Sequence, residues 1–432
     1  MTEPTKDNTF CFYPFYALVF KIYENQDLKA VAPCCMMHDT RKPNTDQVNS
    51  ILSKEELEGL NPYEIFYHEK FKELRKNLLN NVRDSNCATC WNQEDKGILS
   101  HRMYSRWLFE DEFDTDLREV DISLSNKCNL ACRMCNVGSS HQLWEDVDKL
   151  EKSNKLRLFE KASNHSLRSH NLPQDVKNNY LIQWIYHNTD KIKILKASGG
   201  EPLYDKNILD LLRKFVKDGN SKSTELAFHT NAMLITDEII ELFNEFKLQR
   251  HSFSIDGVDK TYDYIRHKSD FSILEQNIKN WFKKSNNIYI VNINLVLSAL
   301  NIGNIVDFLE WTTLMFFEKI RCNIFISEVR PQGRGIDIKN LPIEYLESIQ
   351  SQILKFKEEF ESFRTKKYDY MHKGNYFHYE IDKLLSLIDY AIQDNKNSLD
   401  KLYNEIVLLD GTRNQSYKNY LDSSLIKILE NV

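Results

Sequence analysis

The run Val120-Asp121-Ile122-Ser123-Leu124, with Asn126-Lys127-Cys128-Asn129-Leu130-Ala131-Cys132-Arg133-Met134-Cys135 one residue behind it, decides the fold. The first stretch is apolar and strand-like. The second is a CxxxCxxC run. Three thiolates so close together can hold a metal cluster but cannot saturate it. A four-iron cluster takes four ligands, so three leave one iron open. An open metal position marks a catalytic site rather than a structural one.

From that strand onward, apolar and amphipathic segments alternate. Strands are expected at 120–124, 192–197, 225–230, 251–255, 289–297 and 320–327. Helices are expected between them, at 207–217, 237–246, 272–283 and 304–317. This alternation implies a parallel sheet with crossover helices, an α/β fold. Six βα units suit a partial (β/α)6, TIM-like barrel over residues 115–335, with its chemistry at the C-terminal ends of the strands. Residues 147–180, rich in Lys, Asn, Ser and His, form an expected insertion with a helix at 150–162. Residues 1–110 form an expected N-terminal Cys-rich domain. It has a hairpin over 10–33 (strands 16–23 and 28–31 around a polar turn at 24–27) and helices at 53–60 and 64–79. Residues 340–432 are expected to be a helical extension, with helices at 343–363, 377–394 and 399–409.

The composition narrows the function. The 432 residues are 41% hydrophobic and 12% aromatic, enough for a large core. A formal net charge of −6 argues against nucleic acid as the main partner. No apolar run approaches about 18 residues, so no membrane span is expected. The polar N-terminus lacks a signal-peptide core, which points to the cytoplasm. Eight of the nine cysteines lie in the first 135 residues. In a reducing compartment such clustering favours metal ligands over disulfides.

Further chemistry stands at the later strand ends. The second ends in Ser198-Gly199-Gly200-Glu201-Pro202, where two glycines permit close backbone approach and a carboxylate can accept from an ammonium group. The third ends in Thr230-Asn231. The fourth ends in Ser254-Ile255-Asp256-Gly257. Ser254 and Asp256, two apart, share a strand face and suit sugar hydroxyls. Arg266 offers a planar fork for a carboxylate. One ligand with an amine, a carboxylate, a ribose and an affinity for iron fits this set: S-adenosylmethionine.

With Cys128/Cys132/Cys135, Gly199-Gly200-Glu201-Pro202 and Ser254-Ile255-Asp256-Gly257 in this order, the chain resembles the radical S-adenosylmethionine (SAM) superfamily over about residues 118–330. The resemblance implies a 4Fe–4S cluster on the three cysteines, with SAM chelated at the open iron. One electron, from a donor such as flavodoxin or ferredoxin, then yields a 5′-deoxyadenosyl radical that abstracts hydrogen from a substrate. It also implies cofactor contacts from Gly199, Gly200, Glu201, Asn231, Ser254, Asp256 and Arg266. Met134 stands where the family has an aromatic residue near the adenine, and Ala232 where it often has glycine. The resemblance makes a peptide or protein side chain the expected substrate. A radical dehydrogenase or epimerase acting on a sugar or other small metabolite is the alternative. From another class, a metal-bearing binding or regulatory protein without turnover is also compatible.

Cys11, Pro33-Cys34-Cys35 and Cys87-Ala88-Thr89-Cys90 resemble the auxiliary-cluster domains called SPASM and twitch, here placed before the barrel. The resemblance implies one auxiliary 4Fe–4S cluster on Cys11, Cys34, Cys87 and Cys90, with Cys35 in reserve. Zinc accepts four thiolates equally well. Cys322, on the last expected strand, has two readings: a hydrogen donor to a substrate radical if it faces the cavity, or a small buried hydrophobe.

Overall fold

The protein, seen here in a computed structural model, is described at residues 8–22, 28–37, 50–95, 97, 100–105, 115–163, 179–317, 319–320, 322–329, 333–367 and 376–432. The expected hairpin turn at 24–27 and residues 164–178 of the expected insertion lie outside these.

Among the described residues there are eight strands: β1 (Ala17–Ile22), β2 (Leu28–Ala32), β3 (Glu119–Ser123), β4 (Ile194–Ser198), β5 (Glu225–Thr230), β6 (Leu248–Ser254), β7 (Ile288–Leu297) and β8 (Cys322–Glu328). They make one sheet in the order β2-β1-β3-β4-β5-β6-β7-β8. β1 and β2 are antiparallel. Every other neighbouring pair is parallel. The expected α/β alternation is therefore present, with strand ends moved by a few residues.

Alternation along each strand sorts the residues onto two faces. Val120, Ile122, Ala197, Phe228, Phe253, Ile293 and Ile324 lie on the helix-covered face, fully buried in the main core. The opposite face is polar and charged. There Lys196 on β4 pairs with Asp121 on β3 at 2.8 Å, and Arg250 on β6 pairs with Glu225 on β5 at 2.9 Å. Arg250 also reaches Glu119 on β3 at 2.7 Å. Three strand spacings separate β3 from β6, about 14 Å on a flat sheet. Side chains rising from a flat sheet could not close that gap, so the polar face is concave.

The covering helices have readable starts. Asp205 accepts from Asn207 N at 3.0 Å and caps the helix Lys206–Lys217. That helix buries Ile208, Leu211, Leu212 and Phe215 on one stripe. Thr236 and Asp270 cap the helices Asp237–Asn244 and Phe271–Lys284 in the same way. The helix expected at 304–317 is α-helical over Ile305–Thr312 and then widens into a π-turn, Thr313–Phe317. The Thr312 and Thr313 hydroxyls bond back to the carbonyls of Phe308 and Leu309, a contact that bends helices. The helix expected at 150–162 is two, Trp144–Lys152 and Leu156–Ser163, separated where Asn154 takes φ +56°. Three long helices follow the sheet: Ile343–Lys367, Tyr376–Gln393 and Leu399–Arg413. No described helix is long and apolar enough to cross a membrane.

The N-terminal hairpin continues the main sheet rather than standing apart from it. β1 pairs with β3 from Ala17↔Glu119 to Lys21↔Ser123, and Leu18 and Phe20 join the main core. Phe20→Ala is therefore expected to lower the stability of a single cooperative unfolding transition by about 3–5 kcal/mol, read by chemical denaturation. Two transitions, with only the first displaced, would show the hairpin to be an independent unit.

Candidate metal and cofactor site

The CxxxCxxC run leaves the C-terminal end of β3 as a loop without regular structure, so its shape comes from its surroundings. Cys128 N donates to His141 Nδ1 at 3.1 Å, and Leu130 N donates to Cys128 Sγ at 3.4 Å. Ser140 Oγ donates to the Leu130 carbonyl at 2.6 Å. Cys135 N closes a turn onto the Cys132 carbonyl at 3.1 Å. Cys128 and Cys132 are buried and Cys135 is half-buried. Burial, reinforced by Cys132, pushes the Cys128 thiol up to about 12. Burial and its two sister thiols raise Cys135 as well. Three thiols packed where lone negative charge is disfavoured suit a cationic metal group, which binds them as thiolates. Among the described residues, no three His, Cys, Asp or Glu side chains converge on a single-ion position. Three thiols on one loop are a donor set that iron–sulfur clusters accept.

The glycines after β4 have a use within the chain itself. A Cβ on Gly200 would stand 2.3 Å from the Lys127 carbonyl oxygen, and one on Gly199, at φ +122°, 2.7 Å from Ser123 Oγ. Gly200 N and Glu201 N donate to the carbonyls of Ser125 and Lys127 at 3.1 and 2.8 Å. The β4 turn is pressed against the entry to the cysteine loop, a contact only glycine permits. Glu201 is buried and accepts from Leu203 N, Thr230 Oγ1 and Asn231 N at 3.1, 2.8 and 2.7 Å. Burial raises its carboxyl to about 7 against these hydrogen bonds. Asn231 Nδ2 reaches back to Asn129 Oδ1 at 2.8 Å, tying the end of β5 to the cysteine loop. Ala232 follows at φ +59°, a left-handed conformation that glycine adopts more readily.

Ser254 ends β6, half-buried on the concave face. Asp256 is fully buried and already engaged: it accepts from Val296 N at 2.7 Å and pairs with Arg266 at 2.6 Å. The fork of Arg266, expected to meet a carboxylate, thus meets one from this chain. Met134 packs beside the cysteines together with Met233, a neighbour that sequence spacing did not single out.

Three buried arginines were also missed. Arg334 donates to the carbonyls of Arg133 and Met134 at 2.8 and 2.9 Å and pairs with Glu405 at 2.5 Å. Arg133 lies 3.7 Å over the Tyr264 ring and pairs with Asp410. Arg413 pairs with Asp146 at 2.7 Å. Glu405, Asp410 and Arg413 all lie on the helix Leu399–Arg413, which thereby braces the cysteine loop. Only their separation in sequence, over 250 residues for two of the pairs, hid them.

Cys322 requires a correction. It begins β8 on the helix-covered face, opposite Val291, and is buried in the main core. Strand alternation turns it away from the concave face, so it is the small hydrophobe and not a hydrogen donor to a substrate.

The N-terminal cysteines do gather. Cys11 shares an apolar cluster with Cys34 and Cys87. Burial, then Cys90, pushes Cys11 up to about 12, and burial pushes Cys90 up to about 11. The Cys34 thiol is raised by burial and by all four other thiols, Cys35 foremost. Arg102, paired with Glu94 at 2.7 Å, donates to the Phe10 carbonyl at 2.8 Å and fastens the Cys90 helix to the Cys11 segment. Cys35 Sγ lies 3.9 Å from His101 Nε2. Burial, then Lys196, holds His101 and His229 down at about 3, so both imidazoles are neutral beside the concave face.

Gly200→Ala is expected to drive the β4 turn off the loop entry. Iron per chain after anaerobic reconstitution then falls several-fold with an unchanged far-UV spectrum. Undiminished iron would show that this contact does not set the loop.

The sequence profile of the radical SAM superfamily matches residues 122–312, from the end of β3 through the helix Ile305–Thr312. A probable GTP 3′,8-cyclase of Methanocaldococcus jannaschii is 24% identical over 204 residues, 47% of this chain and 57% of that protein. The radical SAM cyclopropyl synthase TigE of Paramaledivibacter caminithermalis is 25% identical over 209 residues, 46% of this chain and 40% of that protein. The chain thus spans about half the length of these curated relatives. Among solved structures, Streptococcus suis SuiB bound to S-adenosylmethionine is similar with a TM-score of 0.33 and 15% identity, covering 69% of this chain and 50% of that one. Cys128, Cys132, Cys135, Gly200, Glu201 and Arg266 all fall inside the segment that matches the radical SAM profile.

Proposed function

We propose that the protein is a radical SAM enzyme whose 4Fe–4S cluster is held by Cys128, Cys132 and Cys135. The observation that carries this reading is the gathering of two buried thiols and one half-buried thiol in a loop clamped to the Gly199-Gly200-Glu201 turn and to Asn231. When bound, the cluster supplies one electron that splits the sulfonium of S-adenosylmethionine into methionine and a hydrogen-abstracting 5′-deoxyadenosyl radical. The chain's own part is to hold three thiolates and leave one iron for the amine and carboxylate of S-adenosylmethionine. The β4 turn, pressed against the loop entry, flanks that position. The sheet closes partly, as a (β/α)6 barrel, so that its concave face forms the substrate chamber. A cytoplasmic donor such as flavodoxin or ferredoxin delivers the electron.

The gathered Cys11, Cys34, Cys87 and Cys90 hold one auxiliary 4Fe–4S cluster, with Cys35, 3.9 Å from His101 Nε2, in reserve. The substrate is a peptide or protein side chain, as the likeness of this N-terminal region to auxiliary-cluster domains implies. A small-molecule substrate is the second reading, favoured by the relatives named GTP 3′,8-cyclase.

Anaerobically reconstituted, reduced protein is expected to release 5′-deoxyadenosine from S-adenosylmethionine, and its failure to do so leaves a metal-bearing binding protein instead. The variant with Cys128, Cys132 and Cys135 all replaced by Ala should abolish that release yet retain about four irons per chain. Zinc in place of those irons would exclude the auxiliary cluster.

A further inference from the structure

Two backbone hydrogen bonds place one cysteine of the loop opposite one arginine. Ala131 N donates to the His267 carbonyl at 3.0 Å, and Arg133 N donates to the Ile265 carbonyl at 2.8 Å. The bonds flank Cys132 on one segment and Arg266 on the other. Residue 266 follows directly on the helix Asp259–Ile265 and serves as its C-terminal cap. The two side chains meet: Arg266 Nη1 lies 3.9 Å from Cys132 Sγ, both buried. On the far side of the guanidinium, Arg266 Nη2 is anchored 2.6 Å from Asp256, and Asp256 is fixed in turn by Val296 N at 2.7 Å. Arg266 Nε is buried without a hydrogen-bond partner among the described residues, as is the neighbouring Tyr262 hydroxyl.

Such an arrangement is costly without a function. A guanidinium is brought into the interior, its counter-charge supplied from the end of β6, and one edge aimed at a thiol. A neutral thiol repays little of that cost. A thiolate on iron is a far better acceptor, since hydrogen bonds between charged partners are about twice as strong as neutral ones.

We infer that Arg266, oriented by Asp256, donates a hydrogen bond to the Cys132 sulfur of the loaded cluster and raises its reduction potential. The inference rests on the proposed ligation by Cys132 and assigns Arg266 to the cluster rather than to a substrate or cofactor carboxylate. The physical ground is that hydrogen bonds to cluster sulfurs and local charge set iron–sulfur potentials. Reduction adds negative charge to the cluster, and a cationic donor on one of its sulfurs favours the reduced state. Arg266 is thus a positioning and tuning residue. Asp256 is its anchor, which accounts for a fully buried carboxylate at this strand end.

The test is an EPR-monitored redox titration of anaerobically reconstituted full-length protein. It follows the reduced signal that changes on adding S-adenosylmethionine, which selects the cluster with an open iron. In Arg266→Gln the midpoint is expected to fall, with iron content unchanged. Arg266→Lys, which keeps the charge and a donor, is expected to recover part of the fall. A midpoint in Arg266→Gln equal to that of the parent overturns the inference. A second measurement needs no variant and stands if Arg266→Gln loses its iron. In parent protein grown with arginine labelled by nitrogen-15 only in the guanidinium, pulsed EPR of the reduced cluster is expected to show a nitrogen-15 coupling. Its absence overturns the inference as well. A parent protein that takes up no iron at all refutes the ligation by Cys132 itself, a separate result.

Discussion

The cysteine loop has no secondary structure of its own, so buried charge pairs must hold its shape. Arg334 grips the carbonyls of Arg133 and Met134, the two residues between the second and third cysteines. Glu405 balances that arginine at 2.5 Å, both side chains nearly inaccessible to water. Breaking such a pair by removing one partner costs about 3–5 kcal/mol, because the other charge stays buried and alone. Satisfying loop carbonyls with a buried cation is therefore an all-or-none arrangement. It works only while the helix Leu399–Arg413 is docked. The C-terminal helix thus helps set the shape of the cysteine loop.

The same logic runs through the other strand ends. Gly199, Gly200, Glu201, Asn231, Asp256 and Arg266, expected to touch a cofactor, are first fasteners within the chain. Gly199 and Gly200 make room for the loop entry. Glu201 joins the ends of β4 and β5. Asn231 reaches Asn129 inside the loop. Asp256 anchors Arg266. Holding three thiolates and one open position in register requires rigidity in what surrounds them. These contacts provide it from four successive strands. The concave face beyond them carries Lys196, Asp121, His229 and Arg250 instead of an apolar filling. A charged interior of this kind is expensive to bury unless every group is paired, and the ion pairs across β3, β4, β5 and β6 do that pairing.

Much of this was legible in the sequence, for physical reasons that can be named. The strands β3, β7 and β8 were readable because their helix-covered sides alternate apolar residues, as in Val291, Ile293, Leu295 and Leu297. Where an end moved, local hydrogen bonding moved it: the Thr312 and Thr313 hydroxyls widen their helix. The grouping of Cys128, Cys132 and Cys135 was readable because the three stand in one loop, close in sequence. Cys322 shows the limit of that reading, since its facing depends on strand register, which spacing alone does not reveal. Arg133, Arg334, Glu405 and Asp410 were invisible for a different cause. Their meaning lies in partners far along the chain, and a lone buried ion pair leaves no periodic trace. The joining of the N-terminal hairpin to the main sheet was hidden for the same reason, because β1 and β3 are separated by the helices that cover them.

The central claim is that Cys128, Cys132 and Cys135 bind a cluster with one iron free of protein sulfur. Anomalous diffraction at the iron edge, from crystals of the anaerobically reconstituted protein, tests it most directly. The account predicts iron density beside these three cysteines, with three irons each bonded to one Sγ and a fourth bonded to none. Iron found only among Cys11, Cys34, Cys87 and Cys90, or a zinc-edge signal at the β3 loop, would contradict it.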